Sequence, residues 1–108
     1  MVWRVEILNQ TVMEELESLP VDMRAKLDHI VGLIQEFGLN QVHEPYVKSV
    51  RGKLWEMRLT GRDGIARVLY VTAKDRRIVI LHAFHKKTRK IPKKAVETAL
   101  SRMKEVTK

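Results

Sequence analysis

Ten consecutive residues, His85-Lys86-Lys87-Thr88-Arg89-Lys90-Ile91-Pro92-Lys93-Lys94, hold six cationic side chains and no acid. Pro92 is placed to start a helix, so Lys90, Lys93 and Lys94 gather where the helix macrodipole disfavours positive charge by about 0.3–1 kcal/mol each. A sequence tuned for stability alone would put Asp or Glu there. The conflict points to a ligand, and a helix start ringed by lysines suits phosphate. Two arginines form a second set. Arg67 interrupts the apolar run Ile65-Ala66-Arg67-Val68-Leu69-Tyr70. An arginine in such a strand snorkels to water or meets a charged partner, and its guanidinium is also a bidentate clamp for phosphate. Arg58 falls on the preceding strand, and neighbouring strands lie about 5 Å apart, so both guanidinium groups can reach one phosphate. An ion pair with Glu56 is the equal alternative. His85, at a strand end beside the lysines, is the side chain best suited to proton transfer.

The remaining histidines are His29, His43 and His82. His82 and His85 are an odd number apart on one strand and should face opposite sides, which argues against a shared metal. The sequence holds no HExxH pattern, no paired carboxylates and no glycine-rich phosphate loop, and it has no cysteine. No metal and no cofactor are expected. His29 reads as a surface or boundary residue. Trp55 and Tyr70 read as core, because the aromatic ladder of single-strand RNA binders is missing.

These side chains need a frame. Trp3, Val5 and Ile7 alternate with Arg4 and Glu6, which predicts a first strand. Thr11 followed by Glu14 fits a capping box ahead of Val12, Leu16 and Leu19. Pro20 opens a second helix whose stripe is Met23, Leu27, Ile30, Val31, Ile34 and Phe37, and Gly38 ends it. Residues 39–52 read as a loop with at most a short extended piece at 46–50. Period two returns from Lys53, with Trp55, Met57 and Leu59 on one side and Glu56 and Arg58 on the other. Residues 65–72 form the next strand. The run Ile78-Val79-Ile80-Leu81 suits a central strand covered on both faces. After Pro92, Ala95, Val96, Ala99, Leu100 and Met103 share one helical face. The expected fold is α+β, in the order β-α-α-β-β-β-α, with helices packed on a four-stranded, largely antiparallel sheet.

The 108 residues suit one domain, residues 1–108. The net charge of +8 is divided unevenly: residues 1–46 carry −5 and residues 47–108 carry +13. A one-sided basic surface attracts a polyanion, most simply nucleic acid or a nucleoprotein. No apolar run approaches the ~20 residues of a membrane span, and the first residues do not resemble a signal peptide. A cytoplasmic protein without a membrane partner is expected.

Several pieces in order resemble the RelE/HigB toxin superfamily, in particular its phage-derived HigB-like branch. They are Gly52-Lys53-Leu54-Trp55-Glu56-Met57-Arg58, Ile65-Ala66-Arg67-Val68-Leu69-Tyr70, Ile80-Leu81-His82-Ala83-Phe84-His85-Lys86-Lys87-Thr88 and Ile91-Pro92. The resemblance implies a RelE/ParE-like fold. It also implies a toxin of a type II toxin–antitoxin system, a metal-independent endoribonuclease that cuts mRNA on the ribosome and is neutralised by a helix-turn-helix antitoxin. By position, Arg67 matches the arginine that holds the scissile phosphate, and Arg58 one of two alternate basic residues on the strand before it. Lys86 and Lys87 match the basic group after the last strand, and His85 lies where some relatives place a catalytic histidine. Arg89, Lys90, Lys93 and Lys94 extend the RNA-binding surface. Glu56 occupies the first of the two alternate basic positions, and no tyrosine follows Tyr70. Glu44 lies in the loop where one relative has a catalytic glutamate. The general base is thus open among His85, Glu44, Glu56 and a lysine. A ParE-like inhibitor of DNA gyrase and a non-catalytic RNA- or ribosome-binding module are the competing readings.

Overall fold

Strand-forming residues with period two build most of the molecule, and the apolar faces they generate decide where the helices go. The computed structural model describes residues 3–39, 42, 47–86 and 90–106, the side chain of Lys86 excepted. The elements are β1 (Arg4–Ile7), α1 (Gln10–Glu17), α2 (Val21–Phe37), β2 (Val47–Arg51), β3 (Leu54–Gly61), β4 (Gly64–Ala73), β5 (Arg77–Lys86) and α3 (Lys93–Met103).

The sheet has five strands in the order β1-β5-β4-β3-β2. β2 through β5 form an antiparallel meander, and β1 joins β5 in parallel. This corrects the expected four-stranded, largely antiparallel sheet. The piece anticipated at 46–50 is the full edge strand β2, paired with β3 from Val47↔Met57 onward. The parallel β1–β5 pair follows from the two intervening helices and three strands, which return the chain beside its own start.

One sheet face carries Met57, Leu59, Ala66, Val68, Tyr70, Ile78, Ile80 and Ala83 against Val12, Leu16, Met23, Leu27, Ile30 and Ile34 of α1 and α2. The other carries Leu54, Leu69, Val71, Val79 and Leu81 against Ala99 of α3, with Val96, Leu100 and Met103 at its margin. The unbroken apolar run of β5 is therefore divided between two cores, as its sequence implied. Tyr70 is buried, and its burial pushes the phenol pKa up. Trp55 departs from expectation: paired with Ser49 of β2 and Tyr70 of β4, it is 38% exposed. Phe37, the last residue of the α2 stripe, is also exposed.

Asn9, not Thr11, caps α1: its side-chain oxygen accepts the Val12 N–H at 3.0 Å, so the helix starts one turn-fraction earlier than the capping-box pattern suggested. Gly38 ends α2 as expected, with φ of 88° and its N–H donated to the Ile34 carbonyl. The β3–β4 turn is pinned to the start of α2. Asp22 Oδ2 accepts the Arg62 N–H at 2.9 Å, and that bond is the main reason the Asp22 pKa is lowered.

β1 stops at Ile7, so among the described residues the outer edge of β5 beyond Ile80 has no strand beside it. Two side chains take its place. Glu15 of α1 accepts the Ala83 N–H at 3.1 Å, and Arg102 of α3 donates to the Leu81 carbonyl at 2.9 Å. Glu15 and Arg102 also pair with each other at 3.0 Å, and His82 Nδ1 lies 2.8 Å from Glu15. This node ties α1, β5 and α3 together across the sheet edge, satisfying backbone groups that would otherwise be open to pairing with another chain.

Two outcomes follow. A Cβ at Gly61 would stand 2.6 Å from Asp22 Oδ2 and 2.9 Å from Met23 Cγ, so Gly61→Ala should destabilise the fold by about 1–3 kcal/mol in urea unfolding. A variant as stable as the parent would show that the turn does not need this close approach. At Glu15, burial is the largest influence and raises the pKa, but His82, the Ala83 N–H and Arg102 together hold it below 4.5. A depressed carboxylate stabilises above its unfolded pKa, and that contribution is lost as pH falls through the folded value, from about pH 5 downward. Glu15→Gln should therefore flatten the acid limb of a stability–pH curve. Glu6 and Asp22, also lowered, should keep part of the slope.

Candidate phosphate-binding site

Antiparallel pairing of β3 with β4 sets Arg58 directly opposite Arg67, and β5 adds Phe84 to the same row. Residues paired this way share a face, and the neighbouring row holds Leu69, so Arg58 and Arg67 lie on the α3 side of the sheet. Glu56 precedes Arg58 by two residues and shares that face. Its Oε1 accepts from Arg58 Nε at 3.1 Å. Its Oε2 lies 3.2 Å from Arg67 Nε, a charge–charge contact without hydrogen-bond alignment.

Burial differs sharply along this trio. Arg67 is 1% exposed and Glu56 2%, whereas the Arg58 side chain is 32% exposed. β4 is central, with both faces covered, so an arginine in its middle needs a buried counter-charge. Glu56 provides it from the adjacent strand. Burial is the main cause that lowers the Arg67 pKa, Glu56 opposes it and Arg58 adds to it. Arginine starts high enough to stay charged. The trio therefore presents one accessible guanidinium over a neutralised pair. Of the two sequence alternatives for these arginines, the ion pair with Glu56 is present, and only Arg58 has an exposed edge.

His85 is placed elsewhere. It pairs with Ala66, whose side chain belongs to the α1/α2 core, so it lies across the sheet from Arg58 and Arg67. Its Nε2 donates to the Asp63 carbonyl of the β3–β4 turn at 2.8 Å. His82 does occupy the opposite face, as the odd spacing implied, and stacks at 5.2 Å on Phe84. Glu56 is buried with each carboxylate oxygen against a guanidinium group, so it offers no open edge to a substrate hydroxyl. Lys90, Lys93 and Lys94 are exposed around the start of α3, which has no side-chain cap and no acid in its first turn. Lys86 ends β5 opposite Ile65, two residues along from the Arg58–Arg67–Phe84 row. Lys87, Arg89, His43 and Glu44 lie outside the described residues. Among those described, no three His, Asp or Glu side chains gather as a metal site.

Sequence reasoning missed the Glu15–His82–Arg102 node. Its members are 67 and 87 residues apart from Glu15, and no local pattern signals such a meeting.

Residues 14–104 match the family model described as "Phage derived protein Gp49-like (DUF891)". The chain belongs to this family. It is 33% identical over 91 residues to the "Probable endoribonuclease HigB1" of Mycobacterium tuberculosis, a match spanning 84% of this chain and 70% of the relative. Its fold is similar to that of a mutant of the Escherichia coli toxin RelE in the free state, with a TM-score of 0.68, 14% identity, and 95% of this chain and 99% of that one covered. It is also similar to RelE of Pyrococcus horikoshii OT3, solved as a RelE–RelB complex, with a TM-score of 0.58, 26% identity, and 83% and 100% covered. This Gp49-like chain is thus a member of the RelE/HigB toxin superfamily.

In this Gp49-like protein the two arginines should respond differently to truncation. Arg67→Ala leaves Glu56 buried without its main-strand partner and should cost about 3–5 kcal/mol. Arg58→Ala, at a partly exposed position, should cost about 1 kcal/mol or less. Urea unfolding of both variants checks this, and equal losses would contradict the division between a buried and an exposed cation.

Proposed function

We propose that this Gp49-like protein is the toxin of a type II toxin–antitoxin system and an endoribonuclease that cleaves mRNA on the ribosome. The observation that carries the reading is Arg58: an exposed guanidinium, braced by a buried carboxylate, in a chain one-third identical to a probable endoribonuclease. In this reading the scissile phosphate docks on the Arg58 edge. The 2′-hydroxyl of the preceding ribose gives its proton to water and attacks the phosphorus in line, forming a cyclic phosphate and expelling the 5′ oxygen of the next nucleotide. The trigonal-bipyramidal transition state concentrates negative charge on the phosphoryl oxygens, where a fixed guanidinium is most effective. Arg67 lies beneath, its charge balanced by Glu56, and does not touch the phosphate.

Lys86, Lys87, Arg89, Lys90, Lys93 and Lys94 are assigned to the RNA backbone, and Lys87 to the proton taken up by the leaving oxygen. Support comes from the position of Lys86 at the end of β5 and from the exposed lysines at the start of α3, an order that puts cations on either side of the segment between them. His85, bonded to Asp63 on the far face, is assigned to the turn. A cognate antitoxin, here taken as a helix-turn-helix protein, is the expected partner, in keeping with the RelE–RelB complex among the structural neighbours. Among the described residues no helix is long and apolar enough to cross a membrane. The cytoplasm, where ribosomes translate, is the proposed site of action.

The test adds purified protein to a defined translation reaction and maps new mRNA 5′ ends, with naked mRNA alongside. Codon-phased ends that require ribosomes are expected, and Arg58→Ala should slow their formation by about 10²–10³. Intact mRNA in the presence of a folded, ribosome-bound protein would overturn the nuclease reading.

A further inference from the structure

Glu56 is an unexpected charge to find in a site for a polyanion. A carboxylate next to a phosphate repels it, and a buried one must also give up its hydration. Yet Glu56 is 2% exposed and reaches both arginines of the row, Arg58 at 3.1 Å and Arg67 at 3.2 Å. The contact with Arg58 is made through Nε alone. The two terminal nitrogens of Arg58 carry no contact among the described residues, so the edge that grips a phosphate bidentately is left open. Without the carboxylate, two guanidinium groups on directly paired residues would repel each other. The partly exposed one, on a long side chain with many rotamers, would be free to swing toward water.

We propose that Glu56 is a positioning residue: it holds Arg58 by its Nε and Arg67 from below, so that the open edge of Arg58 stands ready for the scissile phosphodiester. The proposal rests on the nuclease reading for its consequence but not for its geometry. Glu56 touches no substrate. It trades some attraction for RNA, since it halves the charge of the arginine pair, against a fixed orientation of the remaining exposed cation. Positioning of this kind acts on the bound state: misplacing a group by about 1 Å costs on the order of 10²-fold in rate. Net charge acts on association and on its salt dependence.

The two contributions separate in Glu56→Gln, which keeps the shape and removes the charge. Single-turnover cleavage on programmed ribosomes should slow by about 10–100-fold at saturation. Binding of a short single-stranded RNA should be unchanged or tighter, with a salt dependence steeper by roughly one phosphate contact. A merely structural loss would weaken binding and rate together, so the opposed directions are diagnostic. If Glu56→Gln does not fold, Glu56→Asp supplies the split. It keeps the charge, draws the carboxylate back by one methylene, and should cleave slowly while binding RNA with the parent salt dependence. Hydrogen exchange of the Arg58 Nε–H by NMR, free of any activity, should accelerate in Glu56→Gln. Cleavage at the parent rate in Glu56→Gln, or in Glu56→Asp where Glu56→Gln does not fold, would overturn the positioning role, as would an Nε–H equally protected without the carboxylate. Absence of cleavage by the parent protein itself would overturn the nuclease reading alone, with the exchange measurement still deciding the role of Glu56.

Discussion

A guanidinium enclosed in the middle of a central strand is the constraint on which the rest of this molecule depends. Arg67 has β3 on one side, β5 on the other and less than one-fiftieth of its side chain open to water. A charge so placed is tolerated only with a counter-charge at hand. Glu56 meets it from the next strand, and it does so in only one register. A slip of one residue between β3 and β4 would carry Glu56 to the α1/α2 face, among Met57, Leu59 and Val68, and part it from Arg67. The ion pair therefore contributes to specifying the strand pairing as well as to the site. Arg58, two residues on, is aligned by the same register.

The two faces of the sheet divide the labour. The α1/α2 face is a continuous apolar core from Val12 to Ala83. The α3 face is apolar only where Leu54, Leu69, Val71, Val79 and Leu81 meet Ala99, and charged where Glu56, Arg58 and Arg67 lie toward the β3–β4 turn. β5 ends at Lys86 near that charged end, and α3 begins at Lys93 to run over the apolar patch. In sequence, the cationic stretch lies between the strand end near the arginine row and the helix over the apolar patch. Among the described residues, the three helices and five strands position cations from distant parts of the sequence with only Arg67, balanced by Glu56, in the core.

The legible and illegible parts of the sequence follow the range of the interactions behind them. Strand and helix periods are local, so β1, α2, β3, β4, β5 and α3 were readable from Trp3, the Met23-to-Ile34 stripe, Met57 and Leu59, and the double-faced run at Ile78–Leu81. β2 was legible only as a short extended piece at 46–50, because Val47–Arg51 alternates weakly and gains its strand conformation from pairing with β3. The parallel β1–β5 contact joins residues more than seventy positions apart and leaves no local mark. The Glu15 node is hidden for the same reason. In the site, the residue types were right for phosphate. Their faces were only half readable: period two placed Glu56 with Arg58, but the facing of His85 depended on the bulge between Leu69 and Tyr70, which shifts the β4–β5 register. Exposure was the least legible quantity. Trp55 departed from the expected core position, and the burial of Arg67 decided between two equal readings, because coverage by helices is a property of the packed layers rather than of any strand.

Fold and site also diverge in what they carry between relatives. At 14% identity the E. coli toxin shares the architecture, and architecture alone does not transmit a function. What can differ on a common frame is the sign of individual charges on the α3 face. A carboxylate beside the phosphate site is unfavourable in isolation, so its presence needs a compensating interaction. The structure supplies two, one to each arginine, and both use the nitrogen that a bidentate grip through the terminal pair does not require. An acid in this place therefore does not contradict an anion site. It converts two mutually repelling cations into one oriented cation above a neutral pair, and orientation is what separates a surface that merely attracts RNA from one that can hold a phosphate in line for attack.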